Sequence, residues 1–274
     1  CGGSPLTLNA SRTSTIGHLK ELVSERWGVE YCEQKIACGH EVPADEASLA
    51  SLYTGAEPLM LTMVLVPSPE VQDARMRLMG NSSEDKSHAC IVFAKSFWSS
   101  SEKVSERRRA VAYKLGVHQD IINMLGSCYK DCVRQHGCAA LAHMCKAEGI
   151  HAGSGEAVEL RRSGAAEAGA IEVLVPIICD PDCNVFAKEA ACTCLARICQ
   201  ATDSVDGRHS AEQRRRRAVL AGAVEAVVAM VKRPCTFPVR MEALAALNEV
   251  VGQDSGRRAA ALKAGAEEQW LTDY

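Results

Sequence analysis

The sequence has few aromatic residues, little net charge and no long apolar run. Aromatic residues occupy 4% of the 274 positions, although apolar residues of all kinds occupy 47%, and this composition favours packed helices with small side chains. A formal net charge of −3 argues against bulk attraction to nucleic acid. No run of about 18 apolar residues is present, so the sequence predicts no membrane-spanning helix.

Motifs for catalysis and nucleotide binding are also missing. The sequence has no Gly-x-x-x-x-Gly-Lys-Ser/Thr phrase for a phosphate-binding loop. Catalysis by a nucleophile requires a base and an orienting group gathered in one cleft, whereas the Cys, His and Asp residues are scattered along the chain. We therefore predict a protein that is not an enzyme and needs no cofactor.

One phrase repeats through the second half of the chain. Ala-Gly-Ala-Ile-Glu-Val-Leu-Val at 168–175 returns in related forms at 221–228, 264–268 and 115–122. The intervals between the central glycines are 53, 53 and 43 residues, measured from Gly116 through Gly169 and Gly222 to Gly265. Self-similarity at a fixed period is typical of an α-solenoid. We interpret the two longer intervals as loop insertions at 148–159 and 200–213.

Each repeat contains three predicted helices in the same order. A short Ala-rich helix ends at the glycine, which tolerates the positive φ of a tight turn. An apolar second helix follows, as at 171–178, and then a third helix with small and apolar residues at helical spacing, as at 187–198. This pattern resembles the armadillo repeat over 107–274. The resemblance implies a right-handed all-α superhelix with three near-complete repeats and one partial repeat.

The resemblance also implies a binding surface on the third helices. Armadillo proteins that grip extended peptides carry Asn in a phrase such as Ala-Leu-x-Asn-Leu. The corresponding positions here hold His143, Arg197 and Glu249, and Asn248 lies one residue early. These four residues are candidates for contact with a partner protein, but the missing Asn ladder argues against the usual peptide clamp of the family.

Arginine pairs recur at the start of the first helices. They are Arg108–Arg109, Arg161–Arg162, Arg215–Arg216 within the run 214–217, and Arg257–Arg258. If they face solvent, they form a basic stripe that can hold an acidic or phosphorylated segment through bidentate contacts. The alternative is that they are solvated or paired with Glu106, Glu159 and Glu212, and we favour this alternative.

The first 67 residues follow a different pattern of strands and helices. The predicted order is a strand at 6–8, an amphipathic helix at 15–23, a strand at 34–36, a turn at 43–45, a short helix at 48–53 and a last strand at 59–66. This order resembles the ubiquitin-like β-grasp fold, with its first strand missing. Pro-Ser-Pro at 67–69 replaces a terminal Gly-Gly, so the resemblance implies a module that is not conjugated. Its docking patch would contain Ile36 and the outward-facing members of Leu61, Met63 and Leu65.

Cysteine is abundant, with 14 residues. Disulfide frameworks occur mainly in small secreted domains, whereas these cysteines fall at helix positions that hold Ala or Val in sibling repeats, as Cys138, Cys192, Cys194 and Cys199 do. We expect reduced core residues in an intracellular protein, most simply a cytoplasmic one. An organellar location stays open, because the chain begins without Met and we expect it to be a fragment.

Three residues form a weak candidate for a metal site. Cys128, Cys132 and His136 are spaced by four residues and could align on one helical face. A structural zinc site needs four convergent ligands, and the sequence has no Cys-x-x-Cys pair. We therefore expect no metal.

Together these patterns predict a multidomain α+β chain with a ubiquitin-like domain at 1–67, a helical linker or solenoid cap at 68–106 and repeats at 107–274. The predicted function is a non-catalytic adaptor or scaffold that binds other proteins through both domains. Two alternatives stay open. One is a structural subunit of a large cytoskeletal, axonemal or organellar assembly, and the other is a non-catalytic component of a ubiquitin-pathway complex.

Overall fold

The computed structural model describes residues 8–27, 29–53, 59–97, 102–147 and 154–271. Contacts divide the chain into two compact units, Cys1–Pro69 and Glu70–Tyr274. Across these described ranges, no helix combines the length and the apolar character that crossing a membrane requires.

The first unit packs a helix against a two-stranded antiparallel sheet. Helix α1 spans Ile16–Trp27, strand β1 spans Gln34–Cys38, helix α2 spans Leu49–Leu52 and strand β2 spans Leu61–Leu65. The strands pair with Ile36 opposite Met63. Ser48 starts α2, because its side chain accepts a hydrogen bond from the amide of Ser51. The predicted helix at 15–23, the strand at 34–36, the short helix and the last strand are confirmed as elements.

A complete β-grasp sheet is not shown, since two strands are present in the described part of this unit. The predicted strand at 6–8 lies outside the described residues apart from Leu8.

Ile36 is a core residue and not part of a docking patch. Its side chain is 4% exposed and clusters with Ile16 and Leu19 of α1. Side chains alternate across a strand, so the neighbouring Lys35 and its cross-strand partner Val64 lie on the open face of the sheet.

The second unit is a solenoid of three-helix repeats. Helices α3 (Pro69–Leu78) and α4 (Ser83–Ser96) precede the repeats. The first repeat contains α5 (Glu102–Lys114), α6 (Val117–Ser127) and α7 (Asp131–Met144). The second contains α8 (Ser154–Glu167), α9 (Ala170–Cys179) and α10 (Val185–Cys199), and the third α11 (Val205–Leu220), α12 (Ala223–Lys232) and α13 (Phe237–Val251). Helix α14 (Ser255–Lys263) and a 3-10 turn at Glu268–Trp270 follow.

The repeated glycine forms the turn after each first helix. Gly116, Gly169, Gly222 and Gly265 have φ values of 78°, 94°, 83° and 93°. This left-handed region costs an L side chain about 1–2 kcal/mol, and only glycine enters it freely. The prediction of a glycine turn between the first and second helices is confirmed.

Of the predicted loop insertions, only 200–204 is a loop among the described residues. Helix α8 begins at Ser154 and α11 at Val205, so most of 154–159 and 205–213 is helical, while 148–153 lies outside the described residues. A longer first helix contributes to each longer interval, since α8 has 14 residues and α11 has 16, whereas α14 has 9. The buried stripe of α11 consists of Gly207, Ala211, Arg214 and Ala218. It has helical spacing but no large apolar residue, so hydrophobic periodicity did not reveal it.

The third helices pack side by side in one layer. Helix α7 lies between α4 and α10, and α10 lies between α7 and α13. Helix α4 therefore takes the place of a third helix ahead of the first repeat. The equivalent leucines Leu141, Leu195 and Leu247 are fully buried along this layer, so neighbouring repeats share one continuous core.

The cysteines of the repeats belong to this core. Cys138, Cys192, Cys194 and Cys199 have no exposed surface, which confirms their predicted placement. No disulfide joins any of the thirteen cysteines in the described ranges. Burial raises the pKa of the Cys199 thiol to about 12, so this thiol is protonated and unreactive at neutral pH.

Candidate partner-binding groove

A groove runs across the third helices. One part, of about 600 Å³, lies between α4 and α7, and another, of about 510 Å³, continues over α10 to the start of α13. Both parts share His136, Ala139 and His143, so they form one continuous surface. We call it the third-helix groove.

Small residues keep the groove open. Ala139 of α7 and Ala190 of α10 line it and are partly exposed, so their short side chains leave room above the helix backbones. Phe186, in the first turn of α10, also lines the groove with 58% of its surface exposed. Such an exposed aromatic ring offers an apolar contact at one edge of the groove.

Basic residues line the groove near the ends of three helices. Lys95 lies in the last turn of α4, His143 in that of α7 and Arg197 in that of α10, and all three line the groove. Lys95 is exposed. The Nη1 atom of Arg197 is buried and has no hydrogen-bond partner among the described residues. We call these three side chains the cation row.

The α10–α13 side of the groove is acidic. Glu189 of α10 lines it, and the Thr193 hydroxyl lies 2.8 Å from Oε2 of Glu242 on α13. Burial and the neighbouring Glu242 carboxylate raise the pKa of Glu189. Glu189 and Arg197 are separated by about 12 Å along α10, at 1.5 Å per residue. The acidic group therefore lies in the first half of this helix and the basic group in its last turn.

His136 is held by a hydrogen bond between two helices. Its Nδ1 atom lies 2.7 Å from the Oγ atom of Ser87 on α4, and burial lowers the pKa of the imidazole. Ser87 is only 9% exposed, so the contact joins α4 to α7 and does not present a nucleophile to the groove.

The weak metal candidates are not brought together as a site. Cys128 follows the end of α6 and is half-buried, Cys132 is exposed in the first turn of α7, and His136 is bonded to Ser87. Within the ranges that the structure describes, no group of three or more His, Cys, Asp or Glu residues is arranged to hold a metal ion.

Two of the predicted partner-contact residues have structural roles. Asn248 is 8% exposed, and its Nδ2 atom donates to the carbonyl oxygens of Leu244 and Trp270, at 3.0 and 2.9 Å. Glu249 is paired with Arg215, whose Nε donates to the Glu249 carbonyl oxygen at 2.7 Å. Of the four candidates, only His143 and Arg197 line the groove.

Three arginines of the first helices form buried ion pairs with glutamates one repeat earlier. The pairs are Glu106–Arg161, Glu159–Arg214 and Glu212–Arg257. The three guanidinium-bearing residues are 1%, 3% and 8% exposed. Each Nε also donates to a carbonyl oxygen at the end of the preceding third helix, namely that of Met144, Ile198 or Val251. These arginines join consecutive repeats and satisfy helix ends.

A second set of arginines lies three residues after each glutamate. Arg109, Arg162 and Arg215 donate to the carbonyl oxygens of Phe97, Cys145 and Glu249. Burial lowers the pKa of Arg162 to about 10, so it stays charged at neutral pH. Since Arg109, Arg161, Arg162 and Arg257 are all buried, the arginine pairs do not form a continuous basic surface stripe.

The remaining arginines of these pairs also have contacts. Arg108 is half-buried and reaches the Ser96 carbonyl oxygen at 3.4 Å. Arg216 is paired with Glu212 at 3.2 Å, and Arg258 with Glu268 at 2.7 Å. The structure thus contains the predicted pairing of arginines with Glu106, Glu159 and Glu212. Three of these ion pairs join consecutive repeats.

Several groove residues were not predicted from the sequence. Lys95, Glu189 and Phe186 lie outside the Ala-Leu phrase that marks the third helices, so this phrase does not identify them. Aligning the end of α4 with the ends of α7 and α10 would have placed Lys95 beside His143 and Arg197.

Two comparisons of the sequence with known proteins found no match. No family model matches the sequence, and no curated protein matches it either. The second unit is an armadillo-like helical solenoid. This description follows from its own three-helix repeats with a glycine turn. Among solved structures, the chain is similar to a designed armadillo repeat protein with 15% identity and a TM-score of 0.47, over 72% of this chain and 88% of that one.

Proposed function

We propose that the chain is a non-catalytic adaptor that binds an extended segment of another protein in the third-helix groove. The continuity of the groove carries this proposal, because residues shared by its two parts link α4, α7, α10 and α13. Stacked repeats present such extended surfaces to their partners. An extended chain lying across four helices would meet new side chains from each helix in turn.

The lining of the groove supports an extended occupant. Partly exposed alanines leave space along it, Phe186 supplies an apolar contact, and His143 and Arg197 supply hydrogen-bond donors. In protein interfaces, aromatic and arginine side chains commonly supply most of the binding energy, and the contacts around them contribute little.

A peptide selection on the full chain tests this proposal. Peptides enriched from a random display library against the wild-type chain should bind the Ala259→Trp variant equally and the Ala139→Trp variant at least about tenfold more weakly. Ala139 lines both parts of the groove, whereas Ala259 is exposed on α14 and supplies the matched control. Equal binding of the selected peptides by both variants would overturn the proposal.

We also propose that the first unit is a ubiquitin-like module with a second partner. The order of helix, strand, short helix and strand, together with the antiparallel pairing of β1 and β2, supports it. If the fold is a β-grasp, the predicted strand at 6–8 pairs with the sheet, and its amides should exchange slowly in the full chain. Exchange of these amides at the rate of an unprotected peptide would contradict the assignment.

An intracellular location, most simply the cytoplasm, is part of the proposal. The free thiols of the described cysteines support it, because reduced cysteines persist in reducing compartments. Imaging of the tagged full-length protein tests this location, and secretion into the medium would contradict it.

A further inference from the structure

The cation row indicates which kind of segment the groove accepts. We infer that the bound segment is acidic, with anionic side chains facing Lys95, His143 and Arg197. This inference rests on the proposed function, because it assigns a chemistry to the occupant of the same groove. The arginine pairs have no part in it, since none of those residues lines the groove.

Arg197 differs from the arginines that hold the solenoid together. Arg161, Arg214 and Arg257 each have a glutamate partner, whereas the buried Nη1 atom of Arg197 has no hydrogen-bond partner among the described residues. A guanidinium group without an acceptor is unfavourable when it is partly covered, since its lost hydration is not replaced. An anion in the groove would supply the missing acceptor.

The spacing of the row matches an extended chain. Axes of packed helices lie about 8–10 Å apart, and an extended chain advances about 3.3 Å per residue. Adjacent members of the row are therefore about two to three residues of bound segment apart. An acidic residue at every second or third position would meet Lys95, His143 and Arg197 in succession.

The acidic side of the groove restricts how such a segment lies. Glu189 lines the groove about two helical turns before Arg197, and Glu242 lies beside it through Thr193. Carboxylates of the segment are repelled from this side and attracted to the cation row. A basic residue on the flank of the segment that faces α13 would complement Glu189.

Fluorescence anisotropy with labelled peptides tests the inference on the full chain. The peptides have about ten residues, which is the length that spans four helices. One probe carries Glu at every third position, and otherwise identical probes carry Gln, Lys or phosphoserine there. We expect the Glu probe to bind more tightly than the Gln and Lys probes, with an affinity that falls as salt is added. Tighter binding of the phosphoserine probe would assign the anion as phosphate, and tighter binding of the Glu probe as carboxylate.

Charge reversals locate the contact. Lys95→Glu and Arg197→Glu should each weaken the Glu probe about tenfold, whereas Arg233→Glu, an exposed site that does not line the groove, should change it less than about twofold. Arg197→Gln serves as a milder variant in case Arg197→Glu does not fold, and it should also weaken binding of the Glu probe. If the row only stabilises helix ends, the reversals lower the melting temperature without changing probe affinity, which overturns the inference.

The two proposals fail in different ways. If the Gln or Lys probe binds as tightly as the Glu probe and Ala139→Trp abolishes that binding, the groove binds segments but the acidic assignment is wrong. If no probe binds and the display library enriches no groove-dependent peptide, the proposed function fails as well.

Discussion

Replacing Arg214 with Met should destabilise the solenoid strongly, whereas the same change at Arg216, two residues along α11, should have a much smaller effect. The Arg214 guanidinium pairs with Glu159 and also donates to the Ser163 hydroxyl at 2.9 Å and to the Gln200 carbonyl oxygen at 3.0 Å. Arg214 and Glu159 side chains are only 3% and 14% exposed. Arg216, in contrast, is 73% exposed and forms an i,i+4 pair with Glu212.

The expected magnitudes differ several-fold. Removing one member of a buried ion pair costs about 3–5 kcal/mol, because the other charge is left buried without its partner. An exposed pair contributes about 0–1 kcal/mol. At about 2–4 °C per kcal/mol for a unit of this size, Arg214→Met should lower the melting temperature by roughly 6 °C or more. Arg216→Met should lower it by no more than about 4 °C.

Thermal and urea unfolding followed by far-ultraviolet circular dichroism measure these effects. The double variant Arg214→Met with Glu159→Met should recover part of the loss, since it removes the unpaired Glu159 charge but leaves the Ile198 and Gln200 carbonyl oxygens without the Arg214 donor. Equal melting temperatures for the Arg214 and Arg216 variants would refute the reasoning, as would a double variant less stable than Arg214→Met alone.

Three further predictions concern the turns, the ion pairs and the thiols. Gly222→Ala should destabilise by about 1–2 kcal/mol because its φ is +83°, although an added Cβ meets no atom there. Gly155→Ala, also in open space but in the first turn of α8, should change the stability by less than about 0.5 kcal/mol. Equal shifts of the two urea midpoints would contradict this. The pKa of Glu212 is lowered by its buried arginine partner, so its stabilising effect is present above the unfolded-state pKa and is lost as pH falls through the lowered value. Glu212→Gln should therefore flatten the loss of stability between about pH 5 and pH 3, and an unchanged pH profile would count against the pairing. Cys132 is exposed and Cys199 is buried, so mass-resolved alkylation should label Cys132 first and Cys199 only on unfolding; equal labelling rates in the native chain would disprove their placement.

The repeat architecture was predictable because its strongest constraint is local. A left-handed turn after each first helix requires glycine, so Gly116 and its equivalents mark every repeat in the sequence. The first half of α11 was not predictable in this way, since its buried face is built from Gly207, Ala211 and Arg214. The arginine is buried only because Glu159, a whole repeat earlier, is paired with it. Periodicity within one helix does not reveal such a partner.

The candidate site was predicted only in part for a similar reason. His143 and Arg197 were found from the Ala-Leu phrase that they share. Asn248 belongs to the same phrase, but its side chain donates a hydrogen bond to the Trp270 carbonyl oxygen. That contact depends on tertiary packing. The resemblance predicted Ile36 on the surface. In the structure, α1 packs against the face of β1 that carries Ile36, so Ile36 is a core residue.

The position of a bound segment on the full chain tests the central claim most directly. The Glu probe can carry a photoreactive group at its middle, and mass spectrometry can then locate the cross-linked residues. The account predicts cross-links on the third helices, at groove positions such as Ile91, Ala139 and Ala190. Cross-links concentrated on the first helices, or in the first unit, would contradict it.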